Sequence, residues 1–207
     1  MDESQIQAES TADFRKRAKA YFDNRPQGSD DRTPRLSSYV IAGIGIIGLA
    51  YCMSALWIGM RDVLEVGGSC ASGNSPYVIE NPCPEGSEIL MAPAIPLGFV
   101  FGAMMAYGLM GIARGAASLV ILFWPALFIS LGWNFLEGAI NPPGGGGLDV
   151  GWLVCGIVFM LMGIPVLFGV PAMFRGISSR KPVVLGILAG GTVLGILLAM
   201  WVADAVS

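Results

Sequence analysis

The fold is decided by residues 92–136, which read APAIPLGFVFGAMMAYGLMGIARGAASLVILFWPALFISLGWNFL. A helix that crosses a bilayer needs about 20 mostly apolar residues, and this stretch has room for two such helices. Its one charged residue is Arg114, which Gly115 follows directly. A single helix of this length would be far longer than a bilayer is thick. The sequence therefore predicts two spanning helices joined by a tight turn at Arg114 and Gly115.

Three further apolar stretches lie on either side of this pair. The five predicted spans cover residues 37–60, 92–113, 116–136, 150–173 and 182–203. The chain is 54% hydrophobic and 13% charged, with a mean hydropathy of +0.66, whereas soluble domains carry about 25% charged residues. We therefore expect an all-α integral membrane protein with five transmembrane helices, and not a soluble domain with buried helices.

The composition also excludes several classes of function. The net charge of −3 and the pI near 4.9 argue against a nucleic-acid partner, because binding to phosphates needs an excess of basic residues. The chain contains no His, which removes imidazole metal ligands and the Ser-His and Cys-His dyads. No set of acid, base and nucleophile stands out in the spans. We expect no enzymatic activity, no metal and no cofactor.

The basic residues predict the orientation, since cytoplasmic loops of membrane proteins carry an excess of Lys and Arg. If the N-terminus is cytoplasmic, Arg61 is the one exterior cation of the twelve in the chain. The sequence thus predicts a multi-pass plasma-membrane protein with a cytoplasmic N-terminus and an exterior C-terminus. The eleven cytoplasmic cations are Arg15, Lys16, Arg17, Lys19, Arg25, Arg32, Arg35, Arg114, Arg175, Arg180 and Lys181.

Residues 1–35 form a polar cytoplasmic tail, and residues 36–207 form the membrane domain. A capping box at Ser10 and Asp13 predicts a short amphipathic helix in the tail. Such a helix could dock on a protein partner, lie on anionic lipid or remain a nascent helix in solvent. We expect a protein to be its partner. The apolar face of this helix comprises Phe14, Ala18, Tyr21 and Phe22.

The largest exterior element is the predicted loop 61–91, which contains two cysteines. Cys70 and Cys83 lie on the oxidising side of the membrane in this topology, so we expect a disulfide between them. Closing a loop of about 15 residues is worth about 3 kcal/mol in the chain-entropy model. Cys52 and Cys155 fall inside predicted spans, where we expect free, buried thiols, with a second bridge as the alternative.

Glycines recur at helical spacing within the spans. Residues 43–48 read GIGIIG, which matches the dinucleotide-binding pattern but lies inside a spanning helix and not between a strand and a helix. We therefore interpret these glycines as positions that let neighbouring helices approach closely. The same interpretation applies to Gly98, Gly102, Gly186, Gly190, Gly191 and Gly195.

Polar residues are rare in the spans, which makes Asn134 and Glu137 notable. They lie one turn apart on the same helix face, at the exterior end of the third span and beside Trp133. This pair predicts a polar site for a partner, a lipid headgroup or an ion. The alternative is an interfacial helix end with an aromatic anchor.

The exterior loop carries a pattern of Gly, Cys and Pro. It reads GGSCASG at 67–73, PYVI at 76–79 and PCPEG at 82–86. This pattern resembles that of small uncharacterised integral membrane proteins of actinobacteria. By analogy of size, class and lineage, the resemblance implies an accessory subunit of the respiratory supercomplex of cytochrome bcc and aa3 oxidase. The resemblance implies no reaction and carries over no catalytic residue.

The sequence favours a non-catalytic accessory or assembly subunit of a larger membrane complex, in contact with membrane lipids. The long polar tail and the predicted stapled loop would both be available to contact larger neighbours. A small oligomeric channel or transporter is the first alternative, and a membrane enzyme is the second.

Overall fold

The structure, a computed structural model, describes residues 33–66, 87–113, 115–142, 147–175, 177 and 180–206. Within these ranges the chain is almost entirely helical and contains no strand. Five helical stretches are long and apolar enough to cross a membrane. The predicted class, an all-α membrane protein with five spanning helices, is confirmed.

The first half of the chain forms α1 (Leu36–Glu65) and α2 (Ser87–Ile112). A 3₁₀ helix (Ala116–Leu122) then continues directly into α3 (Phe123–Ile140). The last two spans are formed by α4 (Val150–Leu167) with the short α5 (Val170–Arg175), and by α6 (Lys181–Val206). The helices extend past the predicted spans where α1 ends and α2 begins. Residues 61–65 and 87–91, which the sequence predicts to be part of the loop, are therefore helical.

Two breaks within the bundle follow from Gly and Pro. Gly115 adopts φ 79°, the left-handed conformation that glycine favours, in the tight turn between α2 and the 3₁₀ helix. In the fourth span, α4 ends at Leu167 and α5 begins at Val170. Pro165 and Pro171 flank this interruption, and proline removes the amide hydrogen that a continuous helix would use.

α1 lies at the centre of the packing, against α2, α3 and α6. Its contact with α2 is close enough for backbone to meet backbone. A Cβ atom at Gly45 would overlap the backbone of Met105, and a Cβ atom at Gly108 would overlap the backbone of Ala42. Where helices gain no hydrophobic driving force from water, small residues at such interfaces stabilise association through close van der Waals contact.

The predicted packing glycines fall into three groups. Gly191 and Gly195 are buried against α1, where a side chain at Gly195 would meet the Ile47 carbonyl. Cβ atoms at Gly98 and Gly102 would make ordinary contacts of 3.8–4.0 Å with α1 side chains. Cβ atoms at Gly186 and Gly190 would meet nothing within 4 Å. These last two glycines therefore make no close helix contact within the described chain.

α3 and α4 pair with each other along most of their length. Gly132 and Gly156 lie at their contact, and a Cβ atom at Gly156 would approach the Gly132 carbonyl oxygen to 3.0 Å. Phe159 of α4 stacks between Phe128 and Phe135 of α3, at ring-centroid distances of 5.7 and 5.4 Å. α4 makes its main contacts with α3, so most of its surface faces outward.

The two cysteines in the spans are both free thiols. Cys52 is buried at the centre of the bundle, as expected. Cys155 is exposed on α4, a helix whose main contacts are with α3. The expectation that Cys155 is buried is wrong, since the sequence does not show which face of α4 packs against the bundle.

Candidate functional site

A polar site lies where α1 and α3 end side by side. The guanidinium of Arg61 donates two hydrogen bonds to the carboxylate of Glu137, at 3.0 and 3.2 Å. Glu65 lies one turn further along α1, with a carboxylate oxygen 3.6 Å from Arg61 Nε. The Arg61 and Glu137 side chains are each 40% exposed. A two-pronged Arg–carboxylate contact fixes orientation as well as distance, so it sets the register of α1 against α3.

A second link joins the same helices one turn deeper. Asn134 Nδ2 donates a hydrogen bond to the carbonyl oxygen of Trp57, at 3.2 Å. The Arg61 guanidinium also lies over the Trp57 ring, 5.6 Å from its centroid. Asn134 is only 3% exposed, and its Oδ1 atom is buried without a hydrogen-bond partner. A buried acceptor without a donor is costly, which makes Oδ1 the most unusual atom of the site.

α4 also contributes residues to this polar site. The Asp149 carboxylate accepts a hydrogen bond from the backbone amide of Trp152 at 3.0 Å and so caps the first turn of α4. Trp152 then packs on Gly138 of α3, where a Cβ atom would overlap the indole ring. A glycine at position 138 is therefore what admits the ring at this place.

These side chains surround a cavity of about 100 Å³, which we call the Arg61 pocket. The volume is large enough for several waters or for one small polar group. Its polar lining consists mainly of oxygen acceptors around a single guanidinium. No group of three or more His, Cys, Asp or Glu in the described ranges is arranged to hold a metal ion. The pocket is formed by Arg61, Leu64, Glu65, Asn134, Glu137, Gly138, Asn141 and Trp152.

The predicted polar pair, Asn134 and Glu137, lies in this pocket, but its partner Arg61 was not predicted. In the sequence, Arg61 is informative only about orientation. The available signal was that Arg61 is the lone cation at the end of the bundle where Glu137 also lies. Trp133 is 60% exposed and does not line the pocket, which fits its expected place at an interface.

Apolar clefts also flank the contact between α1 and α3, and the two larger ones extend to α2 and to α6. The α2–α3 cleft has a volume of about 530 Å³, between one face of α2 and the start of α3. The α3–α6 cleft has a volume of about 570 Å³ and is lined mostly by apolar side chains of α1, α3 and α6. Three hydroxyl side chains also line the α3–α6 cleft: Ser54, Ser130 and Thr192.

The α2–α3 cleft has a distinctive wall. Four small residues of α2, spaced four apart, line it: Ala94, Gly98, Gly102 and Ala106. The opposite wall carries Phe123, Trp124 and Leu127 of α3. Trp124 is held in place because its indole nitrogen donates to the Met162 carbonyl of α4, at 3.2 Å.

Several predicted sites lie outside the described residues. These are the tail face, the disulfide and the loop pattern, which remain predictions. The residues concerned are Phe14, Ala18, Tyr21, Phe22, Cys70 and Cys83, together with the rest of the loop at 67–86.

Comparisons with known proteins returned no family model, no curated protein and no solved structure that matches this chain. The function proposed below therefore rests on the residues and geometry described above.

Proposed function

We propose that this protein is a non-catalytic accessory or assembly subunit of a larger complex in the plasma membrane. In this proposal the α2–α3 cleft receives a transmembrane helix of a partner subunit. The observation that carries it is the row of small residues on α2, from Ala94 to Ala106, along a cleft that the described residues leave open.

The size and lining of the cleft favour a helix as its occupant. A cavity of about 150 Å³ already accommodates a benzene ring, so about 530 Å³ gives room for several side chains. Rows of small residues let the backbones of two membrane helices approach closely, which strengthens their van der Waals contact. A lipid chain can fill an apolar groove, but it gains nothing specific from a row of small residues.

The distribution of charge supports the proposed orientation. Among described residues, Arg35, Arg175, Arg180 and Lys181 lie at the end of the bundle where α1 begins. Arg61 is the one cation described at the opposite end, which also carries several carboxylates. The excess of cations near the N-terminus favours a cytoplasmic N-terminus and an exterior Arg61 pocket.

The alternative functions have less support. An ion channel selects its ion with rings of carbonyl or charged groups, whereas the described clefts beside α1 and α3 are predominantly apolar. An enzyme needs groups positioned for acid, base or nucleophilic chemistry, and the carboxylate of Glu137 is engaged with Arg61. The respiratory supercomplex is proposed as this complex only by analogy of size, class and lineage with small actinobacterial membrane proteins, and not from matched residues.

Site-specific photo-crosslinking tests the proposal. A photoreactive amino acid is placed at Ala103, which lines the α2–α3 cleft, and in a control chain at Ala189, an exposed position of α6 outside both clefts. We expect the Ala103 position to crosslink to one integral membrane protein in intact cells, and the Ala189 position not to do so. Crosslinks from Ala103 to lipid alone, or to a second copy of this chain, would contradict the proposal.

A further inference from the structure

Asn134 lines the Arg61 pocket, and its Oδ1 atom is buried without a hydrogen-bond partner. The orientation of this amide is set by its neighbour, because the Trp57 carbonyl can only accept a hydrogen bond and so selects Nδ2. Oδ1 must therefore be the atom left in the buried wall. Asn134 is 3% exposed, so bulk solvent does not compensate this acceptor. The missing group is a hydrogen-bond donor.

The net charge of the pocket favours one class of hydrogen-bond donor over the others. Arg61 contributes one positive charge, while Glu65 and Glu137 contribute one negative charge each, so the lining has a net charge of −1. A neutral donor such as water would satisfy Oδ1 but would leave this charge in place. A small cation that carries N–H groups would satisfy both requirements. An anion would satisfy neither of them.

The aromatic wall adds a third feature. The indole of Trp152 lies against Gly138 and lines the same pocket as the carboxylates. A cation near an indole face is stabilised by the ring's quadrupole. Carboxylates, an amide oxygen and an indole are together the groups that recognise an alkylammonium ion. A metal ion has less support, because no group of three or more His, Cys, Asp or Glu among the described residues is arranged to hold one.

We propose that the Arg61 pocket binds a primary ammonium group. Its three N–H donors would reach Asn134 Oδ1 and the free lone pairs of the Glu137 and Glu65 carboxylates, with Trp152 beside its carbon chain. The ammonium group comes from a free amine or from the headgroup of an aminophospholipid. This site is independent of the α2–α3 cleft and so does not depend on the proposed accessory function.

Two pairs of probes test this site. In each pair, one member carries N–H donors on its cationic nitrogen and the other carries methyl groups instead. Isothermal titration of the purified protein compares ethanolamine with choline, in which methyl groups replace all three N–H donors. Native mass spectrometry compares phosphatidylethanolamine with phosphatidylcholine retained from mixed nanodiscs. We expect a preference for the primary amine in at least one of these pairs. Ethanolamine binding would identify a free amine, while preference only among lipids would identify a headgroup.

Variants assign the binding to the pocket. Asn134→Leu removes Oδ1 and should weaken binding roughly tenfold, since it removes a hydrogen bond to a charged group. Glu65→Gln should weaken binding roughly threefold, and it perturbs the fold least because Glu65 is the most exposed member of the ion pairs. Asp62→Asn is the matched control, because it makes the same change of charge nearby but outside the pocket lining.

The results of these experiments distinguish binding of a primary ammonium group from its absence. Loss of the preference in Asn134→Leu and Glu65→Gln, with retention in Asp62→Asn, supports the proposal. If Asn134→Leu does not fold, Glu65→Gln against Asp62→Asn decides the question alone. The proposal is overturned if neither primary amine is preferred over its trimethylated counterpart, or if all three variants behave alike. In either case the pocket holds only water.

Discussion

Position 45 shows how a single residue determines the packing of this bundle. A Cβ atom at Gly45 would overlap the backbone of Met105, whereas a Cβ atom at Gly43, half a turn away, would meet nothing within 4 Å. Both glycines belong to the same sequence pattern, yet only one of them lies in the contact between α1 and α2. Backbone atoms cannot rotate away as a flexible side chain can, so added volume at position 45 must separate the helices.

The substitution Gly45→Ala should therefore destabilise the bundle by about 1–3 kcal/mol, the usual cost of overpacking. Its matched control, Gly43→Ala, should change the free energy of unfolding by less than about 0.5 kcal/mol or increase it slightly, because alanine favours a helix. Reversible unfolding in mixed detergent micelles measures both values. Equal effects of the two substitutions would show that α1 and α2 do not approach at Gly45.

Arg61 and Glu137 are the charged residues that connect α1 with α3. A double-mutant cycle with Arg61→Met and Glu137→Gln should give a coupling energy of about 1 kcal/mol, the upper range for a half-exposed pair. The pair of Arg61 and Glu65 is the control, because it is longer, at 3.6 Å, and its carboxylate side chain is 69% exposed. Its coupling should stay below about 0.5 kcal/mol. A larger coupling energy for Arg61 and Glu65 than for Arg61 and Glu137 would contradict the described geometry.

At the scale of elements, α1 holds the bundle together, since α2, α3 and α6 all pack against it. The five spans and the turn at Gly115 were predictable because runs of bilayer length leave few alternatives. The extension of α1 to Glu65 was not predictable, because Arg61, Asp62 and Glu65 resemble loop residues in a hydropathy profile. A helix can continue into the headgroup region, where charged side chains remain hydrated.

The faces of the helices were less predictable than the helices themselves. Gly186–Gly190 and Gly191–Gly195 have the same spacing, but only the second pair lies against α1. The pairing of Arg61 with Glu137 joins residues 76 positions apart, and it depends on the register between two helices. Sequence periodicity describes one helix at a time, so it identified Asn134 and Glu137 without their partner.

A separate prediction concerns the N-terminal tail, which lies outside the described residues. Ordering its backbone costs about 1–2 kcal/mol per residue, and the small apolar face of the tail cannot offset that cost alone. If the tail docks on a protein, Phe14→Ala with Phe22→Ala should release the partner and leave membrane insertion intact, because buried aromatic residues dominate interface energies. Co-purification measures the release.

The matched control neutralises the four cations Arg15, Lys16, Arg17 and Lys19. These would contribute about 1 kcal/mol each on an anionic lipid surface. If this change releases the tail while the double aromatic change has no effect, the tail is a membrane-surface anchor and not a protein-docking helix.

The two ends of the bundle differ in charge, and this difference predicts the topology. A membrane-impermeant thiol reagent applied to intact cells should label cysteines introduced at Gly145 and Ala205, but not one introduced at Gln27. The positive-inside rule supplies the reason, since the cations concentrate on the side of the N-terminus. Labelling at Gln27 in intact cells would reverse the orientation and place the Arg61 pocket in the cytoplasm.

The most direct test of the proposed accessory function is native mass spectrometry of the protein extracted from its own membrane with its lipids. We predict a stoichiometric complex with a larger integral membrane protein. Gly102→Leu, which fills the α2–α3 cleft, should dissociate this complex, while Gly190→Leu, at a position open to its surroundings, should leave it intact. A pure homo-oligomer that conducts ions in liposomes, unaffected by Gly102→Leu, would contradict the accessory function and favour a channel.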